Sequence, residues 1–339
     1  MINVLVTGTG GGVGQSIIKS LKLSQLAPNI IASDVDPLAA GLYRCSKGYL
    51  VPLATHPKFI ETIVNICRKE KIDAILIGSD PELPAFANNK EAVEQQSGAK
   101  VIVSSPEVVA IGYDKWKTYA FLKNHSLPHP KSALPENMEA LLDEVGFPVI
   151  VKPRTGSASR DVYVAENREE LNVFIKRARN PIIQQYVGNS SEEYTSGVVR
   201  FDGHVCGAIT MKRDLKGGTT YRAVVDDYDD VRNAATTLAN EINPFGPCNF
   251  QMRMVEGIPT AFEINTRFSG TTALRSGLGF TEVEAVLKYV LFGEYQPLTY
   301  RKGIITRYWN EVYLHSEEYD SIQKEQSLEN HHSQVIDYF

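Results

Sequence analysis

Four short apolar runs, at residues 4–7, 30–34, 74–78 and 100–104, are each bounded by small or polar turn residues. Between them Phe59, Ile60, Ile63, Val64 and Cys67 fall at helical spacing and make one buried stripe. Strands alternating with helices imply a parallel sheet covered on both faces. Residues 1–112 are therefore expected to form a Rossmann-like lobe.

The pattern then changes. Asp114 is a fitting N-cap for a helix to about Asn124, and the proline-containing stretch 127–130 must be extended. Residues 147–185 read strand, loop, strand, helix, strand, which with the linker helix makes a small lobe over 113–190. From Glu193 onward strands are separated by Gly203, Gly217-Gly218 and Gly257, with one helix near 227–241 and another at 281–292. This predicts an antiparallel lobe over 191–314. The polar tail, 315–339, is expected to pack loosely or to extend from the body. At 339 residues the chain has room for three such lobes, and 43% apolar residues suffice for their cores.

Charge and cysteine content exclude several classes. The 35 Lys plus Arg are outnumbered by 40 Asp plus Glu, so a nucleic-acid partner, which selects for basic excess, is not expected. No apolar run nears the roughly 20 residues that span a bilayer, and the first residues lack a basic leader segment. Cys45, Cys67, Cys206 and Cys248 lie far apart and read as reduced thiols of a cytoplasmic protein.

Thr7-Gly8-Thr9-Gly10-Gly11-Gly12-Val13-Gly14 sits between a strand and a helix, and Asp34 closes the second strand. That arrangement matches the fingerprint of an NAD(P)-dependent short-chain oxidoreductase. Such an enzyme also needs Tyr-x-x-x-Lys, present at Tyr113/Lys117, Tyr43/Lys47 and Tyr119/Lys123. With 16 tyrosines and 19 lysines, about one such match is expected by chance, so the pattern discriminates poorly. The alternative is that the glycines only permit a tight turn or hold another anion.

Four separated pieces fit the binding of a nucleoside triphosphate with a metal. Lys115 opens a helix, where an ammonium is unfavourable unless an anion is near. Lys152 closes a buried strand and is followed by Arg154, Thr155, Gly156, a Ser-Ala-Ser run and Arg160, a composition suited to a flap over phosphates. An apolar strand runs into Gln184, Gln185, Tyr186 and Val187, whose backbone could meet an adenine edge, and Glu193 could take ribose hydroxyls. Finally Gln251 lies on one strand and Glu263, Asn265 and Arg267 on the next. Side chains two apart share a strand face, so these oxygen donors converge as a phosphate-bound Mg²⁺ requires, with Arg267 beside them.

In order and spacing these pieces resemble the ATP-grasp superfamily over residues 1–295, specifically the branch holding carbamoyl-phosphate synthetase large-chain halves, biotin carboxylase, D-alanine–D-alanine ligase and the pyrrolysine-pathway ligase. Glu263-Ile-Asn265-Thr-Arg267 resembles that family's metal and phosphate motif. The resemblance implies a Rossmann-like pre-ATP-grasp lobe followed by the two-lobed ATP-grasp fold. It implies ATP and Mg²⁺ (or Mn²⁺) as cofactors, with Lys115 and Lys152 on phosphates, Gln184–Val187 at adenine, Glu193 at ribose, and Gln251, Glu263 and Asn265 on metal. Arg267 and Lys152 would be catalytic, and Arg213, Arg222 and Arg275 would be candidates to hold the substrate carboxylate. The implied reaction joins a small-molecule carboxylate to an amine or ammonia through an acyl phosphate; a homodimer is compatible. A non-catalytic ATP-binding subunit is the other reading. Two departures stand out: the flap holds only Gly156, and Gln251 replaces the glutamate found in other members.

Overall fold

The computed structural model describes residues 2–156, 160–308, 310–329 and 331–336. In lobe 1, β1 (Asn3–Val6), α1 (Gly12–Lys22), β2 (Asn29–Asp34), β3 (Lys47–Leu50), α2 (Phe59–Glu70), β4 (Ala74–Leu76), α3 (Leu83–Ser97) and β5 (Lys100–Ile102) alternate as expected. The strands pair in parallel in the order β3-β2-β1-β4-β5. Leu5, Ile31 and Ile75 face α2 on one side, while Val4, Val6 and Ala32 face α1 on the other, so both sheet faces are dry.

A short helix, α4 (Pro106–Tyr113), leads to α5 (Lys115–Asn124), where Asp114 caps Trp116 N–H at 2.9 Å. Lobe 2 follows as β6 (Ser132–Ala133), α6 (Met138–Val145), β7 (Val149–Pro153), β8 (Tyr163–Ala165), α7 (Arg168–Arg177) and β9 (Pro181–Gln185). Its antiparallel sheet, ordered β6-β9-β7-β8, has a small core of its own around Leu141, Val149, Val151 and Leu171.

Lobe 3 contains β10 (Glu193–Phe201), β11 (His204–Lys216), β12 (Thr219–Val225), α8 (Asp229–Ile242), β13 (Gly246–Val255), β14 (Ile258–Asn265), α9 (Thr272–Ser276), α10 (Glu282–Phe292) and β15 (Gly303–Thr306). Its antiparallel sheet runs β14-β13-β10-β11-β12-β15. Lobes 1 and 3 are fused: Ile17 and Leu21 share one core with Phe268, Phe280 and Val286. Ser16 Oγ accepts from Ala273 N at 2.7 Å, and Ser24 donates to Glu284 at 2.8 Å.

The tail does not pack loosely. After β16 (Val312–Tyr313), α11 (Ser316–Glu325) brings β17 (Ser327–Glu329) antiparallel onto β3, as the edge strand of the lobe 1 sheet. A last strand, β18 (Gln334–Val335), pairs with β16. Ile322 and Leu328 are buried in the shared core, and that burial corrects the expectation. Two apolar residues among polar ones anchor the segment and leave no visible periodicity.

Candidate functional site

Between the sheets of lobes 2 and 3 lies a cleft of about 840 Å³ counting its open mouth, within the usual range for small-molecule sites. Five basic side chains (Lys115, Lys152, Arg160, Arg213 and Arg253) and two acidic ones (Glu193 and Glu263) line it. In a chain of net charge −5 that is a local positive field.

Lys152 ends β7 deep in this cleft, 5% exposed, and its Nζ donates to Gln184 Oε1 at 2.7 Å. Burial, reinforced by Lys115 and partly offset by Glu263, lowers its pKa to about 8. Lys115 is the first residue of α5, and its Nζ donates to the Gly156 carbonyl at 2.8 Å. The root of the loop after β7 is held to the start of α5. Arg154 clasps Asp114 through Nε (3.1 Å) and Nη2 (2.5 Å), and Lys115 N–H donates to Arg154 O at 2.9 Å. The Ser157, Ala158 and Ser159 stretch of the expected flap lies outside the described residues.

The residues expected at adenine fall at the end of β9 and just beyond it. Gln184 sits within β9 between β6 and β7, and its amide ties Lys152 to Ser132 Oγ (2.9 Å). Gln185 N–H donates to Lys131 O at 2.8 Å, and its Oε1 accepts from Lys131 N–H at 3.2 Å. Gln184, Gln185 and Val187 (7% exposed) all line the cleft, while Tyr186 packs under the Arg253 guanidinium. The ribose assignment meets an obstacle. Glu193 Oε1 accepts from Arg213 Nη2 (2.6 Å) and Nε (3.2 Å), and Oε2 from Arg253 Nη2 (2.8 Å) and Nε (3.0 Å). Four bonds fill a carboxylate's acceptor capacity, so a ribose hydroxyl must displace one guanidinium contact.

Gln251 and Glu263 are direct partners across β13 and β14, as the alternation predicts. Glu263 Oε2 makes no hydrogen bond to any described residue, whereas Gln251 Oε1 accepts from Arg213 Nη2 at 2.9 Å. Asn265 does not turn its oxygen toward them. Its Nδ2 donates to Glu263 Oε1 (3.0 Å) and its Oδ1 accepts from Arg267 Nη2 (3.0 Å). The donor set fits a Mg²⁺ anchored by one carboxylate, Glu263, with Gln251 opposite and most coordination left for phosphate and water. Asn265 in this arrangement bridges Glu263 and Arg267. Among the described residues no group of three His, Cys, Asp or Glu forms a metal cage.

Of the three substrate arginines, only Arg213 lines the cleft. Arg222 is exposed on β12 and stacks on Tyr221. Arg275 is 1% exposed, is paired with the equally buried Glu282 at 3.2 Å, and packs over Gly197. It is a core ion pair and cannot meet a substrate. Sequence reasoning missed Arg253 and Phe262. Arg253 lies two residues after Gln251 on the same strand and was detectable by that spacing. Phe262 reaches the cleft wall because the ladder skips a residue between Gln251 and Met252. A bulge leaves no trace in residue pattern.

The glycine loop is explained by its own turn. Gly8 has φ +58°, and a Cβ on Gly14 would stand 2.3 Å from the Gly8 carbonyl oxygen. Asp34 spends its carboxylate on Gly10 N–H (2.7 Å) and Asp36 N–H (3.0 Å). Tyr113 ends α4 while Lys117 lies beyond the extended Asp114, so they do not stand one helical turn apart. These placements give no support to an Asp34 ribose contact or to the Tyr113/Lys117 pair of the oxidoreductase reading.

A basic cleft between a four-stranded and a six-stranded antiparallel sheet, behind a fused parallel lobe, defines a nucleotide-grasping protein of three lobes. Residues 113–271 match the ATP-grasp domain family and residues 4–102 the PylC-like N-terminal domain, so the chain carries an ATP-grasp domain behind a PylC-like N-terminal domain. The carbamoyl phosphate synthase large chain of Pyrococcus furiosus is 26% identical over 288 residues, which cover 78% of this chain and 27% of that protein. A carbamoyl-phosphate synthase of Methanobrevibacter smithii is 25% identical over 238 residues, 64% of this chain and 63% of its own length. The chain thus spans about a quarter of the length of the first relative and under two thirds of the second. Among solved structures, the L-amino acid ligase of Bacillus licheniformis aligns with a TM-score of 0.68 at 14% identity, over 96% of this chain and 85% of the ligase. The N5-carboxyaminoimidazole ribonucleotide synthetase of Thermus thermophilus gives 0.69 at 16% identity, over 88% and 80%. These likenesses establish the fold.

Proposed function

We propose that the protein is an ATP-dependent carboxylate–amine ligase that forms an amide through an acyl phosphate and releases ADP and phosphate. One observation carries this reading: a cation-lined cleft that ends where Glu263 faces Gln251 and abuts the Asn265–Arg267 pair. The names of the relatives and structural neighbours, synthases and ligases, support it. Lys152 and Lys115 would hold the triphosphate, with Phe262, Gln185 and Val187 around the base. Bound Mg²⁺, held by Glu263 and Gln251, would neutralise charge on the phosphates.

In this scheme a carboxylate oxygen attacks the γ-phosphorus and the bond to the β–γ bridging oxygen breaks, releasing ADP. The amine nitrogen then attacks the acyl carbon and loses a proton, and phosphate departs with the carboxylate's oxygen. Lys152 and Arg267 offset the developing charge, so catalysis is positioning and electrostatics and needs no protein nucleophile. The substrates are a small carboxylate and an amine or ammonia. We place the protein in the cytoplasm, and a homodimer is compatible with the reading. Among the described residues no helix is long and apolar enough to cross a membrane.

The test is ADP release from the full chain with Mg²⁺ across carboxylates crossed with amines. Release that needs both partners is expected. ATP binding with no turnover for any pair would replace the ligase reading by that of a non-catalytic nucleotide-binding subunit.

A further inference from the structure

Asp80 belongs to neither lobe that forms the nucleotide cleft. It opens the 3-10 turn Asp80–Glu82 after β4 in lobe 1, 187 residues before Arg267. Yet its Oδ1 accepts from Arg267 Nε at 2.6 Å and its Oδ2 from Arg267 Nη2 at 2.9 Å, a two-point fork. Arg267 Nη2 also donates to Asn265 Oδ1 (3.0 Å), and Nη1 donates to the Phe268 carbonyl (2.8 Å). A guanidinium has five N–H donors, so four are committed and one, on Nη1, remains. Burial opposes charge on Arg267, and the Asp80 carboxylate more than restores it, holding the pKa above the ordinary arginine value.

Asp80 also borders a second, smaller hollow with Tyr113, Lys115, Gly156, Glu263 and Thr266, on the lobe 1 side of Glu263. Thr266 is 3% exposed, and its Oγ1 has no hydrogen-bond partner. That buried hydroxyl beside Asn265 is a polar group the fold itself leaves unsatisfied. The hollow joins Lys115 and Gly156 to the lobe 1 turn, and Arg267, 9% exposed, is bonded to its Asp80 and Asn265 walls.

We propose that Asp80 is the positioning residue of the ligase reaction, fixing Arg267 across the lobe 1–lobe 3 boundary so that it meets the acyl phosphate formed beside Glu263. This rests on the ligase reading above. Asparagine keeps only one acceptor, so it cannot hold both points of the fork. Glutamate keeps the fork at a shifted distance. The lobe distant from ATP thereby sets the geometry of transfer without touching nucleotide.

The test compares Asp80→Asn, Asp80→Glu, Arg267→Lys and the Asp80→Asn/Arg267→Lys double variant in the full chain. ATP binding is read by calorimetry without acceptor, and kcat and KM by ADP release with a pair the wild type turns over. Asp80→Asn is expected to lower kcat roughly a hundredfold, the scale of losing one oriented donor, with KM for ATP nearly unchanged. Asp80→Glu should recover most of that loss, and the double variant should be no worse than Arg267→Lys, the mark of coupled residues. A wild-type kcat in Asp80→Asn, or losses that multiply in the double variant, would overturn the proposal. If Asp80→Asn does not fold, Arg267→Lys decides, since it keeps the charge and loses the fork: a kcat-specific loss supports the proposal and a wild-type kcat overturns it. Should the wild type turn over no pair at all, the ligase reading fails by itself. The Asp80 role is then judged from the Arg267 Nε–H NMR signal, identified by its absence in Arg267→Lys. Slow exchange in wild type and Asp80→Glu with loss in Asp80→Asn supports the fork, and an unchanged signal in Asp80→Asn refutes it.

Discussion

Lobe 3 meets its two neighbours in different ways. Against lobe 1 it shares a continuous apolar core, from Ile17 and Leu21 to Phe280 and Val286, stitched by Ser16, Ser24 and the Asp80–Arg267 fork. Against lobe 2 it leaves a cleft lined by charge, and lobe 2 keeps a small core of its own. On the proposed function, the fused boundary would hold the groups that must keep their geometry during transfer. The polar boundary would hold the groups that grip a triphosphate, which could then enter and leave without disturbing the main core. Substitutions on the two sides should therefore fail differently, one set in chemistry or stability and the other in nucleotide affinity.

The largest effect is expected for Glu263→Gln, which removes the one carboxylate proposed to anchor the metal. Turnover should fall about a thousandfold, near 4 kcal/mol of transition-state stabilisation, with the melting temperature little changed because the side chain is only half-buried. Steady-state ADP release and a thermal melt on the same sample check both parts, and ordinary activity would remove the metal assignment.

Ile322→Ala tests the fused side. Ile322 is fully buried, so the truncation should cost about 2–4 kcal/mol of stability. KM for ATP should stay constant, as measured at a temperature where the variant is folded.

Lys152→Met tests the polar side. ATP affinity should drop about ten- to a hundredfold by calorimetry, the worth of a charge-assisted phosphate contact. The lowered pKa adds a pH signature. Below about 8 the free protein carries a charged Lys152 ready for phosphate; above it the lysine must first regain a proton, so affinity falls as pH rises through about 8. That fall should vanish in Lys152→Met. The smallest effect is expected for Lys117→Met, an exposed residue on α5, whose turnover and ATP affinity should match wild type.

What sequence could reveal follows the same division. The parallel lobe, the lobe 2 sheet and the Gln251–Glu263 pairing were legible because burial and face alternate with the period of the element that carries them. The α11–β17 return was not, because Ile322 and Leu328 stand alone in a polar segment. Arg275 looked like a substrate arginine because nothing local announces Glu282 as its buried partner. The Gln184 bond to Lys152 was not legible because it is made across the sheet. Asp80 lay hidden for the strongest reason: its partner is 187 residues away, and only the fusion of lobes 1 and 3 brings them together.

The central claim is that a substrate carboxylate attacks the γ-phosphorus, and oxygen labelling tests it most directly. A carboxylate carrying ¹⁸O should deliver one labelled oxygen to inorganic phosphate for each amide formed, with ADP as the other product. Label appearing in AMP with release of pyrophosphate, or unlabelled phosphate alongside genuine amide, would contradict the account.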